Sequence, residues 1–198
     1  MSTRLRPVLC LAAAGLATVA GCESTSGTLP EPVTPPSAPA PVPAPRPAEL
    51  RLDGIDPCTL FTEAQLDELK ITEQPEPLPA DNQREGPTCS LPVAKGEPHY
   101  TYYVEAITGA DLEAWVTGDR RNGSKITEPR QVERFPALTH HGRGSSPSDC
   151  ETLVGVAAGQ TLRVQLYPVT RGAFDQRQLC ELSAGAAALA VKTLGSRG

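Results

Sequence analysis

Nine of the 21 prolines fall between Pro30 and Pro47, and no other feature limits so sharply what this chain can fold into. Each proline fixes φ and removes a backbone donor, and the Ala, Val, Thr and Ser between them are too small to build a core. The stretch from Glu23 to Leu50 is expected to run as polyproline-like chain at about 3.1 Å per residue, reaching at most ~90 Å. A folded unit must therefore lie in residues 51–198, a common size for one domain. We read the proline segment as a stalk, with docking to a proline-binding partner as the alternative.

The residues before the stalk say what it is tied to. Arg4 and Arg6 precede an apolar run from Pro7 to Ala20, and the run closes on Val19-Ala20-Gly21-Cys22. A positive start, a short apolar stretch and small residues at the end make a secretory signal. The run is shorter than the ~20 apolar residues a membrane-spanning helix needs. A cysteine at this point is the mark of a lipobox. Its thiol would take a diacylglyceryl group, and the chain would be cut just before it. The expected organisation is a lipoprotein signal peptide over 1–21, lipidated Cys22 and a Pro/Ala-rich stalk over 22–50, and an extracytoplasmic domain over 51–198. Each buried methylene adds about 0.8 kcal/mol, and two chains hold stably where one does not. The expected location is the extracytoplasmic face of the cell membrane, with the membrane as a partner through the lipid.

Charge and cysteine usage narrow the class. Loss of the leader removes two arginines and no acid, taking the formal charge from −5 to −7. An acidic chain without a basic cluster is not built for nucleic acid. Of six cysteines, Cys10 leaves with the leader and Cys22 is given to lipid, so Cys58, Cys89, Cys150 and Cys180 remain. Four cysteines in an exported domain suggest two disulfides. Three pairings can be drawn, and we favour Cys58–Cys89 with Cys150–Cys180. Each would close a loop of about 30 residues and contribute roughly 3–4 kcal/mol. A zinc site would bring cysteines into C-x₂₋₄-C pairs, which are absent from the sequence.

Local patterns give an α+β outline. Asp56 caps a turn with Pro57 at its first position, and Thr62 with Gln65 forms a capping box for a helix within 59–72. Residues 73–87 read as a polar surface loop. Residues 88–93 and 99–107 read as strands, 110–119 as a short helix with Leu112, Trp115 and Val116 on one face, and 120–125 as a turn. Weaker strands at 132–135 and 138–141 are separated at Pro136, and 142–148 is a loop. Residues 150–156 and 160–167 form a hairpin about Ala158-Gly159, in which Leu162, Val164 and Leu166 alternate with Arg163 and Gln165. The last helix, over 175–194, repeats Leu179, Leu182, Ala186 and Leu189 at helical steps. The fold class is α+β, an antiparallel sheet covered by helices, with a long C-terminal helix and two disulfides.

Several of these pieces occur together in one known family. They are Leu52-Asp53-Gly54-Ile55-Asp56-Pro57-Cys58-Thr59-Leu60 before the Thr-capped helix, and Gly86-x-x-Cys89. They continue with the strand pair from Asp149-Cys150 to Gln160-Thr161-Leu162-Arg163-Val164, and with Leu179-Cys180-Glu181-Leu182. With the lipobox and stalk, the chain resembles the actinobacterial lipoprotein family catalogued as domain of unknown function 3558, over residues 52 to about 194. The resemblance implies an actinobacterial envelope and disulfides, and it carries no catalytic residues.

The residues themselves point to no catalytic group, cofactor or metal. His140 and His141 are adjacent, so on a strand they face opposite ways and cannot hold one ion together. His99 is isolated. Gly142-Arg143-Gly144-Ser145-Ser146 lacks the Lys-Ser/Thr of a phosphate loop and the order of a nucleophile elbow, so Ser145 is read as part of a surface turn. Tyr100, Tyr102, Tyr103 and Trp115 hold most of the aromatic surface. We read Tyr100 and Tyr102 as core under the helices, with a binding face as the alternative. Carboxylates are scattered at spacings that predict no paired acid site. The expected function is a non-enzymatic, lipid-anchored binding or interaction module for an envelope protein, a wall component or a small ligand. The alternatives are a lipid or glycolipid carrier with a pocket between sheet and final helix, and an envelope-acting hydrolase.

Overall fold

Alternation of apolar and polar side chains builds the sheet, and a computed structural model describes residues 45–81 and 83–197 of it and its surroundings. The expected signal peptide, Cys22 and all but the last residues of the stalk lie outside the described residues. Seven strands form one antiparallel sheet: β1 (Glu76–Leu78), β2 (Thr88–Val93), β3 (Tyr100–Ile107), β4 (Lys125–Val132), β5 (Phe135–Gly142), β6 (Cys150–Ala157) and β7 (Gln160–Pro168). Their spatial order is β1-β2-β3-β7-β6-β5-β4. Two meanders thus meet along the β3–β7 pair, where Val104 lies opposite Val164. Between them the chain crosses the sheet through the short helix α2 (Glu113–Val116).

One face of the sheet is covered by helix α3 (Gln176–Gly195), which packs on β6 and β7. Asp175 and Gln178 form a capping box at its start. Leu162, Val164 and Leu166 are fully buried on this face, as are Leu91, Val104 and Tyr102 of the neighbouring strands. Small residues bring the helix close: Ala186, Ala187 and Ala190 have no exposed surface, and the Ser183 and Thr152 hydroxyls hydrogen-bond at 2.7 Å. The other face carries a smaller apolar cluster of Ile107, Leu138 and Leu153 under Leu112 and Trp115.

Both expected disulfides are present, and each ties a helical piece to the sheet. Cys58, in the 3₁₀ turn Pro57–Thr59, joins Cys89 of β2 with a Cα separation of 5.0 Å; Cys180 of α3 joins Cys150 of β6 at 5.1 Å. The segment before Cys58 is held by Gln160, which is 3% exposed. Its carbonyl accepts from Leu52 N at 2.6 Å and its amide donates to Asp53 at 2.7 Å. Gly86 packs its backbone against Ala106, and an added Cβ would run into the Ala106 carbonyl oxygen.

Several expected boundaries shift. The helix within 59–72 is divided into the 3₁₀ turn and α1 (Glu63–Glu68), with the Thr62–Gln65 box intact. The helix stops because Lys70 takes φ +59° while Lys70 N donates to Asp67 O and Ile71 N to Leu66 O, a Schellman ending with lysine where glycine is usual. The loop expected over 73–87 contains β1, which pairs Pro77 opposite Cys89 at the sheet edge. The helix expected over 110–119 is a single turn, and Val116 is 43% exposed rather than on the buried face with Leu112 and Trp115. Pro136 does not separate two strands. It lies within β5, and the turn falls at Glu133-Arg134, both with positive φ, between the paired Val132 and Phe135. Residues 125–131 are strand despite their charges and Pro129, because they form the other edge of the sheet, where side chains on both faces meet water.

Candidate functional site

The structure gathers three acids that looked scattered in sequence. Glu105 on β3, Glu151 on β6 and Asp149 just before β6 are all buried on the sheet face opposite α3. Each is matched. Glu105 pairs with Arg163 and accepts from the Glu85 and Gly86 backbone N–H groups. Lys125 bridges the other two, at 2.6 Å from Glu151 and 3.4 Å from Asp149. Burial opposes the charge on Lys125, but the attraction of Glu151 and then Asp149 outweighs it and holds the ammonium above its ordinary value. Burial likewise works to raise the Asp149 carboxyl, and hydrogen bonds from Gln165 and Ser148 with the Lys125 charge bring it below the usual range. The register that places Glu105 opposite Arg163 and Glu151 opposite Gln165 depends on pairing between different strands, which spacing along one strand does not reveal. Above this network lies a cleft of about 110 Å³ between Arg84, Tyr103 and Arg163.

The histidines stay apart, as adjacent strand positions require. His140 is 4% exposed, its Nδ1 lies 3.0 Å from the Thr127 hydroxyl, and burial first of all pushes its imidazole down. His141 faces the α3 side and bonds the Gly142 carbonyl at 3.0 Å. His99 lies 3.7 Å from Glu97. Among the described residues no three His, Cys, Asp or Glu side chains gather as a metal site would need. Ser145 sits in the loop between β5 and β6, exposed.

Two grooves of about 360 Å³ lie against α3, one beside Arg130, His141 and Arg177, and the other between the end of α1, the outer side of α3 and the tyrosines of β3. Gly185 opens its floor, flanked by Leu182, Ala188 and Leu189. Its walls carry Leu69, Lys70, Tyr100 and Tyr102. Tyr100 and Tyr102 pack as core, at 7% and 1% exposure, with Tyr100 edge-on to Tyr102 at 5.7 Å and to Phe174 at 5.4 Å. Their hydroxyls have no hydrogen-bond partner among the described residues, yet no fully buried polar side-chain atom there lacks one. Tyr102 lines the groove. Burial raises both phenols, and the neighbouring Tyr100 adds to the rise at Tyr102, so both remain protonated donors.

Two backbone positions in this groove go against local stability. Gly185 lies in the interior of a 20-residue helix, where glycine costs about 1 kcal/mol relative to alanine. A Cβ there would meet nothing within 4 Å, so close packing does not demand the glycine. Lys70 does the reverse, occupying a left-handed position that glycine would take with less strain. Both positions line the groove. Sequence reasoning weighed Tyr100 and Tyr102 as either core or binding face; the structure buries both as core at the wall of the groove. The signal it passed over was the lone glycine in the Ala-rich helix.

A family model described as "Protein of unknown function (DUF3558)" matches residues 17–193. No curated protein and no solved structure matches the chain.

Proposed function

The chain belongs to the DUF3558 family of proteins of unknown function, and from that premise we propose that it is a lipid-anchored binding module of an actinobacterial cell envelope, with its ligand site in the α1–α3 groove. The observation that carries the binding role is the groove wall formed by Tyr102, a residue 1% exposed whose hydroxyl has no hydrogen-bond partner among the described residues. The location rests on the lipobox ending at Cys22 and on the proline segment after it. Two disulfides agree with folding in an oxidising compartment. The reading as a binder rather than an enzyme is supported by the buried acids, each already neutralised by Lys125 or Arg163.

Two experiments test this. Cys22→Ala should leave the protein unprocessed or shed from the membrane; if the variant stays acylated and membrane-bound, the anchor is elsewhere. A photo-crosslinking residue at position 185 should capture a discrete ligand in intact cells, and one at Val169, 57% exposed and outside the groove, should not. The same products from both positions would remove the groove from consideration.

A further inference from the structure

We infer that the groove takes one acyl chain ending in a carboxylate or a phosphate, the chain lying over Gly185 and the head meeting Lys70 and the two tyrosine hydroxyls. This deepens the binding reading above and rests on it. Scale comes first. About 360 Å³ falls at the small end of ligand sites, which run from about 300 to 1,000 Å³, and suits a single chain rather than a protein partner. Chemistry along the floor is apolar, since Leu182, Gly185 and Leu189 follow one another at three- and four-residue steps on the outer side of α3.

The head group is set by the polar side chains that line the groove. Thr72 N donates to Pro92 O at 3.1 Å, which brings the residues after α1 against β2. Pro92 is paired with Thr101, the residue between Tyr100 and Tyr102. Lys70, Tyr100 and Tyr102 line the same groove. Lys192, further along α3, is paired with Glu133 at 3.4 Å, whereas Lys70 has no carboxylate within ion-pairing distance among the described residues. Hydroxyl donors and such an ammonium lining one groove call for an anionic acceptor. Glu68 and Glu181 line it too and disfavour a polyanion, so a single anionic group on an apolar chain is what fits.

The test uses the full chain carrying Cys22→Ala, which has no lipid of its own. Calorimetric titration would compare dodecanoate, dodecyl phosphate and dodecyltrimethylammonium, all below their micelle concentrations. Both anions should bind one to one, and the cation should bind at least about tenfold more weakly. The ratio of the two anions separates a fatty-acid source from a phospholipid one. Gly185→Leu should reduce anion binding at least about tenfold, and Tyr102→Phe and Lys70→Gly by roughly fivefold each. Leucine favours helix and its Cβ has open space, so the variant should melt no lower than its parent; should it misfold, Gly185→Ala gives a smaller loss in the same direction. Equal binding of all three probes, or binding that Gly185→Leu leaves intact, would overturn the assignment, because the apolar run 7–20 would then account for the signal. No binding of any probe alongside a discrete crosslink at position 185, such as a proline-rich peptide, would overturn the acyl chain and keep the site. Neither binding nor crosslink would remove both.

Discussion

Replacing Lys125 with methionine should turn the polar face of the sheet from a stabilising feature into a destabilising one. The ammonium lies 2.6 Å from Glu151 and 3.4 Å from Asp149, with side-chain exposures of 21%, 9% and 12%. Two unit charges about 4 Å apart at an effective dielectric near 20 attract by about 4 kcal/mol. Removing one partner of a buried pair typically costs about 3–5 kcal/mol. Asp149 keeps its bonds from Gln165 at 2.8 Å and Ser148 at 2.9 Å, so most of the loss should come from Glu151. We expect a loss of about 3 kcal/mol at pH 7 in urea unfolding, or roughly 10 °C in melting temperature for a domain of this size. The pH dependence is the sharper criterion. In the parent protein the depressed Asp149 carboxyl contributes fully above its unfolded value of about 3.9, and that contribution fades as pH falls through the folded value. The raised Lys125 contributes below about pH 10 and fades as pH rises through its folded value. Without the lysine, burial of Asp149 is no longer opposed by a cation, so the deficit should shrink as the pH is lowered from 7 towards 4. Adding Glu151→Gln should recover most of the loss. A Lys125→Met deficit under about 1 kcal/mol, or one that does not change with pH, would refute the reasoning.

Three further outcomes follow from the backbone and the cross-links. Glu133→Asn with Arg134→Gly, placed in the β4–β5 turn where both residues have positive φ, should raise stability by about 1–2 kcal/mol in urea unfolding. Gly86→Ala should destabilise by at least about 2 kcal/mol, read as a lower melting temperature, because its Cβ has to displace the Ala106 carbonyl. Replacing Cys150 and Cys180 together by alanine should lower stability by about 2–4 kcal/mol, and hydrogen exchange should rise chiefly in α3, which then has only packing and a few hydrogen bonds such as Ser183–Thr152 to hold it.

What was legible in the sequence was what a few neighbouring residues decide. The Asp56 and Thr62 caps, the β6–β7 hairpin with its alternating Leu162, Val164 and Leu166, and the two disulfides all depend on short-range pattern or on cysteine count, and all are in the structure. Edge strands were not legible. β1 and β4 contain prolines and exposed charges because one side of each has no neighbour, a fact known only once the sheet order is known. The Glu133-Arg134 turn was hidden for a related reason, since neither residue type favours positive φ and only the strand register imposes it. The groove was half legible. Aromatic content marked Tyr100 and Tyr102, but the groove they line is closed by the end of α1 and the outer side of α3, which only the fold brings to β3.

The two prolines at the sheet margins also bear on how such molecules behave in a crowd. Pro77 of β1 and Pro129 of β4 each deny an incoming strand one of the N–H groups it would need to extend the sheet. β1 is also only three residues long, and β4 displays Glu128 and Arg130 around its proline. A neighbouring copy therefore finds neither margin a continuous template for strand addition. Dense packing of these domains on a surface would bring them side by side without inviting them to zip into one another.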